Sequence, residues 1–185
     1  MPNVQKLLLQ NHEVMRSVEE IIPALDIACK VIVAALKANK KLLLCGNGGS
    51  AAYSQHIAAE IVGRFERERR GLAAIALTTD ASILTSVADD YAFNTVFARQ
   101  VQALGQPGDV LIASSSNGSC GNVIEAVEEA KQIGFKVIAV TGELGSSLGR
   151  AADVDLTVAS EVPARVLEAQ IFIGHALCAA IDEAL

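Results

Sequence analysis

Residues 42–60 read LLLCGNGGSAAYSQHIAAE, and the reading of this stretch decides the fold. Leu42, Leu43, Leu44 and Cys45 make a short unbroken apolar run that stops at glycine, which suits a strand of a parallel sheet buried on both faces. Gly46-Asn47-Gly48-Gly49-Ser50 follows at once, and its glycines let the backbone pass close to a ligand with no side chain in the way. A helix after that turn would offer unpaired amides and the positive end of its dipole to an anion. On this helix His56 and Glu60 stand four apart and share one face, so both are expected to converge on whatever the turn holds. The same residues also fit a plain strand-turn-helix corner with a core histidine and a solvated glutamate, because short glycine motifs match often by chance.

The chain around this stretch has 185 residues, the length of one domain with a proper core. It is 51% hydrophobic and 19% charged, with a mean hydropathy of +0.38. That apolar excess suits a sheet covered on both faces together with a subunit interface. The net charge of −6 argues against a nucleic-acid surface. The one basic cluster, residues 64–70, is interleaved with Glu66 and Glu68 and reads as a solvated turn. No apolar run approaches the roughly 18 residues of a membrane span, and the start MPNVQKLLLQNHE lacks the features of a signal peptide. Cys29, Cys45, Cys120 and Cys178 form no CxxC pair, so reduced thiols and a cytoplasmic protein are expected.

Outward from the central stretch, the spacing predicts two amphipathic helices over residues 4–20 and 21–37, broken at Pro23, that cap the sheet or meet another subunit. Further strands are expected at 73–77, 110–113, 136–140 and 155–158. Helices are expected at 82–88, 95–104, 122–133 and 162–185, the first two separated by Asp89-Asp90-Tyr91. A glycine-rich connection joins the last two strands. Alternating strands and helices indicate an α/β fold, a three-layer doubly wound five-stranded parallel sheet forming one domain over 1–185. In such sheets ligands bind beyond the carboxyl ends of the strands, where strand order reverses.

Two small polar loops follow strands: the glycine turn, and Ser114-Ser115-Ser116-Asn117-Gly118-Ser119-Cys120-Gly121. If their strands are neighbours, both loops face one crevice. The hydroxyls of Ser115, Ser116 and Ser119, with amides near Gly118, suit a phosphate group. There is no GxxxxGK[ST] lysine for a nucleoside triphosphate and no dinucleotide fingerprint, so a small sugar phosphate fits better.

Taken together, GNGGSAAxxQHIAAE, TTDxSILTSVADDY, PGDVLIASSS and the closing IGHALC resemble the sugar isomerase (SIS) family, and within it the phosphoheptose isomerases, over nearly the whole chain. The resemblance implies the SIS fold, with residues 1–38 as a helical pair involved in oligomerisation, and a homotetramer whose sites are shared between subunits. It places the substrate-binding turn on Asn47, Gly48, Gly49 and Ser50. It places zinc-binding roles on His56 and on Glu60, which is also the base, and a metal-ligand or general-acid role on His175. Asp89-Asp90 stands where the family has Asn-Asp, and Ser115-Ser116-Asn117-Gly118-Ser119-Cys120 where it has Ser-Thr-Ser-Gly-Asn-Ser. Leu167 replaces the glutamine metal ligand, and Gln170 lies three residues later on a different part of the helix. Aldose-ketose interconversion through an enediol needs a carboxylate to move a carbon-bound proton and a group to manage the proton on oxygen. Zinc, with His and Glu as ligands, could polarise the carbonyl. The expected substrate pair is sedoheptulose 7-phosphate and D-glycero-D-manno-heptose 7-phosphate. A non-catalytic sugar-phosphate-binding or replication-initiator-associating adaptor, and an isomerase with an altered substrate, are the alternatives. No nucleic-acid or membrane partner is expected.

Overall fold

A computed structural model describes residues 3–185. Strands β1 (Leu42–Gly46), β2 (Ala74–Ala76), β3 (Val110–Ser115), β4 (Lys136–Thr141) and β5 (Val154–Thr157) form one parallel sheet in the order β2-β1-β3-β4-β5. β1 and β3 are direct neighbours, with Cys45 opposite Ala113 and Gly46 opposite Ser114. The order reverses between these two strands, so the loops after them flank the switch point.

Every residue of β1 and β3 is buried, and alternate residues feed two separate cores. Leu42, Leu44, Val110, Ile112, Ile138 and Val140 face one side, under α1 (Val4–Lys37), α2 (Gly49–Val62) and α7 (Pro163–Ala184). Leu43, Cys45, Leu111, Ala113, Val137 and Ala139 face the other. That second side is covered by α3 (Ala81–Asp90), α4 (Ala98–Leu104), α5 (Gly121–Ile133) and α6 (Ser147–Ala151).

Three expectations change. The two N-terminal helices are one 34-residue helix that runs through Pro23. A proline in mid-helix costs about 3 kcal/mol, but α1 buries Val14 and Val18 before it and Leu25, Ala28 and Ile32 after it against the same core. Pro23 itself is exposed, so water can reach the carbonyl it leaves unpaired. Asp89 and Asp90 belong to the last turn of α3 instead of separating two helices, and Phe93–Thr95 adds a 3₁₀ turn. The glycine-rich connection before β5 contains α6, capped by Ser146, whose Oγ accepts from the Gly149 amide at 3.1 Å.

α7 is long and apolar enough to cross a membrane by length and composition, yet Val166, Ala169, Ile173, Leu177 and Ile181 lie in the core. It packs along α1 and α2. α2 and α7 run side by side in the same direction, since Ser50 meets Gln170 and His56 meets His175. Gly174 permits this approach: a Cβ there would lie 2.4 Å from Ile57 Cδ1 and 2.8 Å from Tyr53 Cε2. Ile57 and Tyr53 are almost fully buried and have nowhere to retreat. Gly174→Val is therefore expected to lower stability by about 2 kcal/mol through overpacking, read as a lower midpoint at unchanged slope in urea unfolding. A variant as stable as the parent would show that the seam has slack.

Candidate functional site

The crevice at the switch point is assembled from the predicted loops. Gly48, at φ +54°, takes a backbone conformation that side chains rarely adopt and starts α2 with no side-chain cap. Asn47 and Asn122 hold the two loops together by a reciprocal amide pair. Asn47 Nδ2 donates to Asn122 Oδ1 at 2.8 Å, and Asn122 Nδ2 donates back to Asn47 Oδ1 at 2.9 Å. Asn122 is buried; its place in an amphipathic helix gave no sign of this role.

A cavity of about 220 Å³ lies between these loops and α7, lined by residues that include Asn47, Gly49, Ser50, Ser116, Leu167 and Gln170. A second cavity, of about 350 Å³, adjoins it through Ser116 and Pro163 and also meets Asn117, Glu143 and Glu161. Ser115 is not free to face a ligand. Its hydroxyl donates to Asn117 Oδ1 at 3.0 Å, accepts from the Gly118 amide at 3.0 Å and touches Cys120 Sγ at 3.3 Å. The Ser119 amide also donates to Asn117 Oδ1, at 3.2 Å, and the Ser119 side chain is exposed. Ser116 is thus the serine of this loop that both cavities share. Asp89 and Asp90 are exposed at the end of α3 and line neither cavity.

Leu167 lies against the start of α2, its Cδ2 2.8 Å from where a Cβ on Gly49 would stand. Gln170 is buried and bonded at both ends of its amide: Oε1 accepts from Ser50 Oγ at 3.3 Å and Nε2 donates to the Val140 carbonyl at 3.0 Å. It ties α7 to the start of α2 and the end of β4.

His56 and Glu60 do not converge on the glycine turn. Six residues separate His56 from Ser50, roughly 9 Å of helix rise, and the pair meets α7 further down the same seam. There His56 Nε2 lies 2.8 Å from His175 Nε2, with the rings edge to face. Glu60 Oε1 lies 3.7 Å from His56 Nδ1, the opposite ring nitrogen. Phe65 packs on His175 with ring centroids 5.2 Å apart. Burial first, and the Glu60 charge second, push the Cys178 thiol up to about 12, so it stays protonated beside the carboxylate.

This geometry orders the protons. With Glu60 ionised, a lone pair on His56 Nδ1 would face a negative charge, so Nδ1 carries the proton. His56 Nε2 then accepts from His175 Nε2–H. The arrangement runs Glu60, His56, His175, with the carboxylate at ion-pair distance and the imidazoles hydrogen-bonded.

The same atoms do not fit zinc as they stand. Tetrahedral bonds of about 2.0–2.1 Å place two nitrogen ligands roughly 3.3 Å apart, wider than the 2.8 Å observed. Glu60 sits behind the wrong ring nitrogen, Leu167 offers no donor, and no three His, Cys, Asp or Glu side chains gather as a metal set among the described residues.

Residues 10–142 match the SIS domain family. A phosphoheptose isomerase of Nitratiruptor sp. is 48% identical over 182 residues, 98% of this chain and 97% of that one. The structure of phosphoheptose isomerase from Neisseria gonorrhoeae superposes with a TM-score of 0.92 at 40% identity, covering 97% of both chains. That of a phosphoheptose isomerase from Francisella tularensis gives 0.90 at 36% identity, covering 99% of this chain and 100% of that one. The chain therefore belongs to the SIS domain family, among its sugar-phosphate isomerases.

Proposed function

We propose that the chain interconverts sedoheptulose 7-phosphate and D-glycero-D-manno-heptose 7-phosphate. The observation that carries this reading is the separation, along one seam, of a small polar cradle from a carboxylate-imidazole-imidazole array. An open-chain heptose phosphate needs that separation, because its phosphate is on C7 and the reacting carbons are C1 and C2. Ser116 and the backbone of the glycine turn hold the phosphate end, with Asn47 shaping the turn through its pair with Asn122. The other end lies against Glu60, His56 and His175.

Glu60 removes the proton from the carbon next to the carbonyl, and the electron pair forms the carbon-carbon double bond of an enediol. His175, whose Nε2–H is held by His56, uses its unprotonated Nδ1 to take the proton of the hydroxyl on one carbon and pass it to the carbonyl oxygen on the other as that oxygen gains charge. Glu60 returns its proton to the other carbon, so the reaction needs no external oxidant or reductant. His56 holds Glu60 and His175 in register through its two nitrogens.

The assembly is a homotetramer in the cytoplasm. Exposed Leu7, Leu8, Leu9, Ile22 and Ile27 on α1 and exposed Phe172 on α7 support an interface, and four free cysteines suit a reducing compartment. Asp89 and Asp90, which line neither crevice cavity of their own chain, are open to a neighbour's site.

Purified protein given sedoheptulose 7-phosphate is expected to produce the aldose signals in NMR spectra, and Glu60→Gln should lower kcat by about 10²–10⁴-fold, the range for a general base. Thermal stabilisation by the sugar phosphate without turnover would instead point to a binding protein. Elemental analysis of protein purified without added metal is expected to find well under one zinc per chain. One zinc per chain in the parent would show that the imidazole pair opens to admit the ion.

A further inference from the structure

The segment between α2 and β2 contains the basic cluster that reads as a solvated turn in the sequence. Arg69, at its centre, is instead withdrawn from water, with its side chain 5% exposed and that of its partner Asp182 3% exposed. Arg69 Nε donates to Asp182 Oδ1 at 2.7 Å. The other carboxylate oxygen accepts from the Glu66 and Arg67 amides at 2.7 and 2.8 Å. Burial alone would raise the Asp182 carboxyl, but the two amides and the guanidinium outweigh it and hold the group below its ordinary value. The charge is therefore kept, and every donor around it is used.

The far side of the guanidinium closes α2. Arg69 Nη2 donates to the Glu60 carbonyl at 3.0 Å and Nη1 to the Ile61 carbonyl at 2.9 Å. A helix leaves its last carbonyls unpaired and its C-terminus negative, and α2 has no basic residue of its own in its last turn. Arg69 supplies that cation from nine residues downstream of Glu60. The same strap lays Phe65 on the His175 ring.

From this we infer that Arg69 and Asp182 are positioning residues for the isomerase site: they lock residues 64–70 so that the turn carrying Glu60 and the ring of His175 keep one relative placement. Neither touches the reacting atoms in this assignment, which rests on the reading of Glu60 as the base. The fork of the guanidinium is essential to it. A lysine can satisfy Asp182 but cannot also reach two carbonyls in fixed directions.

Arg69→Lys tests the inference directly, with kcat and KM for sedoheptulose 7-phosphate, thermal melting and amide hydrogen exchange measured on the full-length protein. Arg70→Ala, on the exposed neighbour, serves as the control and should keep kcat within twofold. The expected result for Arg69→Lys is a folded protein with kcat at least tenfold lower, KM within twofold, and exchange at least tenfold faster in residues 60–70 but not in β1. Unchanged kcat, a raised KM alone, or parental protection of residues 60–70 would each overturn the assignment. If Arg69→Lys does not fold, Asp182→Asn is read by the same criteria, and failure of both to fold would make the pair a core element with no positioning role. The exchange measurement needs no substrate. A parent without turnover would therefore sink the isomerase reading, while protection in residues 60–70 still decides whether the clamp exists.

Discussion

The distance between α2 and α7 governs everything chemical in this molecule, and the absence of one side chain sets it. Gly174 lets Ile57 and Tyr53 press against the backbone of α7. Only at that distance can residues 119 positions apart in the chain bring two ring nitrogens to 2.8 Å. Interiors are close-packed and yield little, so a contact of this kind fixes register as well as separation. The Ser50–Gln170 bond toward the crevice and the Asp182 bonds to the strap follow from the same register.

Two kinds of polar order lie along the seam. At the crevice, Asn47 and Asn122 bond each other, Ser115 bonds within its own loop and Gln170 bonds Ser50 and the Val140 carbonyl, which leaves Ser116 and backbone to meet a ligand. An unpaired polar group is costly when buried, so the loops hold their shape without a ligand. Further down, the array of Glu60, His56 and His175 is partly open to solvent, and it contains the groups whose protons can move. A rigid cradle at one end and a proton-bearing array at the other suit a substrate with its anchor and its reacting carbons far apart.

Leu167 stands where the family resemblance implies a glutamine. It puts a branched apolar side chain against Gly49 at the place expected to supply a polar ligand. Gln170, one turn away, is held by Ser50 and the Val140 carbonyl. Further along the seam the two imidazoles bond to each other, with Glu60 at the far nitrogen of His56.

Much of the fold is legible in the sequence because its causes are local. Doubly buried strands read as the apolar runs LLLC and VLIA, helices as repeats with a period near 3.6, and the glycine turn as the break between LLLC and its helix. From these the parallel sheet, the two polar loops and the candidate pair His56 and Glu60 can be named, while His175 is named by the family resemblance alone. Local pattern could not tell that α1 runs through Pro23, because the energy that carries it comes from a core shared by residues on both sides of the proline. Nor could it tell that Ser115 is used up inside its own loop, or that Arg69 is buried in a stretch that looks solvated. Those outcomes depend on Asn117 and Asp182, partners whose positions only the folded chain supplies. The sequence by itself determined which residue types are available for chemistry. Tertiary structure decided which of them meet, because a helix advances about 1.5 Å per residue: neighbours on α2 such as Ser50 and His56 are carried apart, while α7, packed alongside, brings Gln170 to one and His175 to the other.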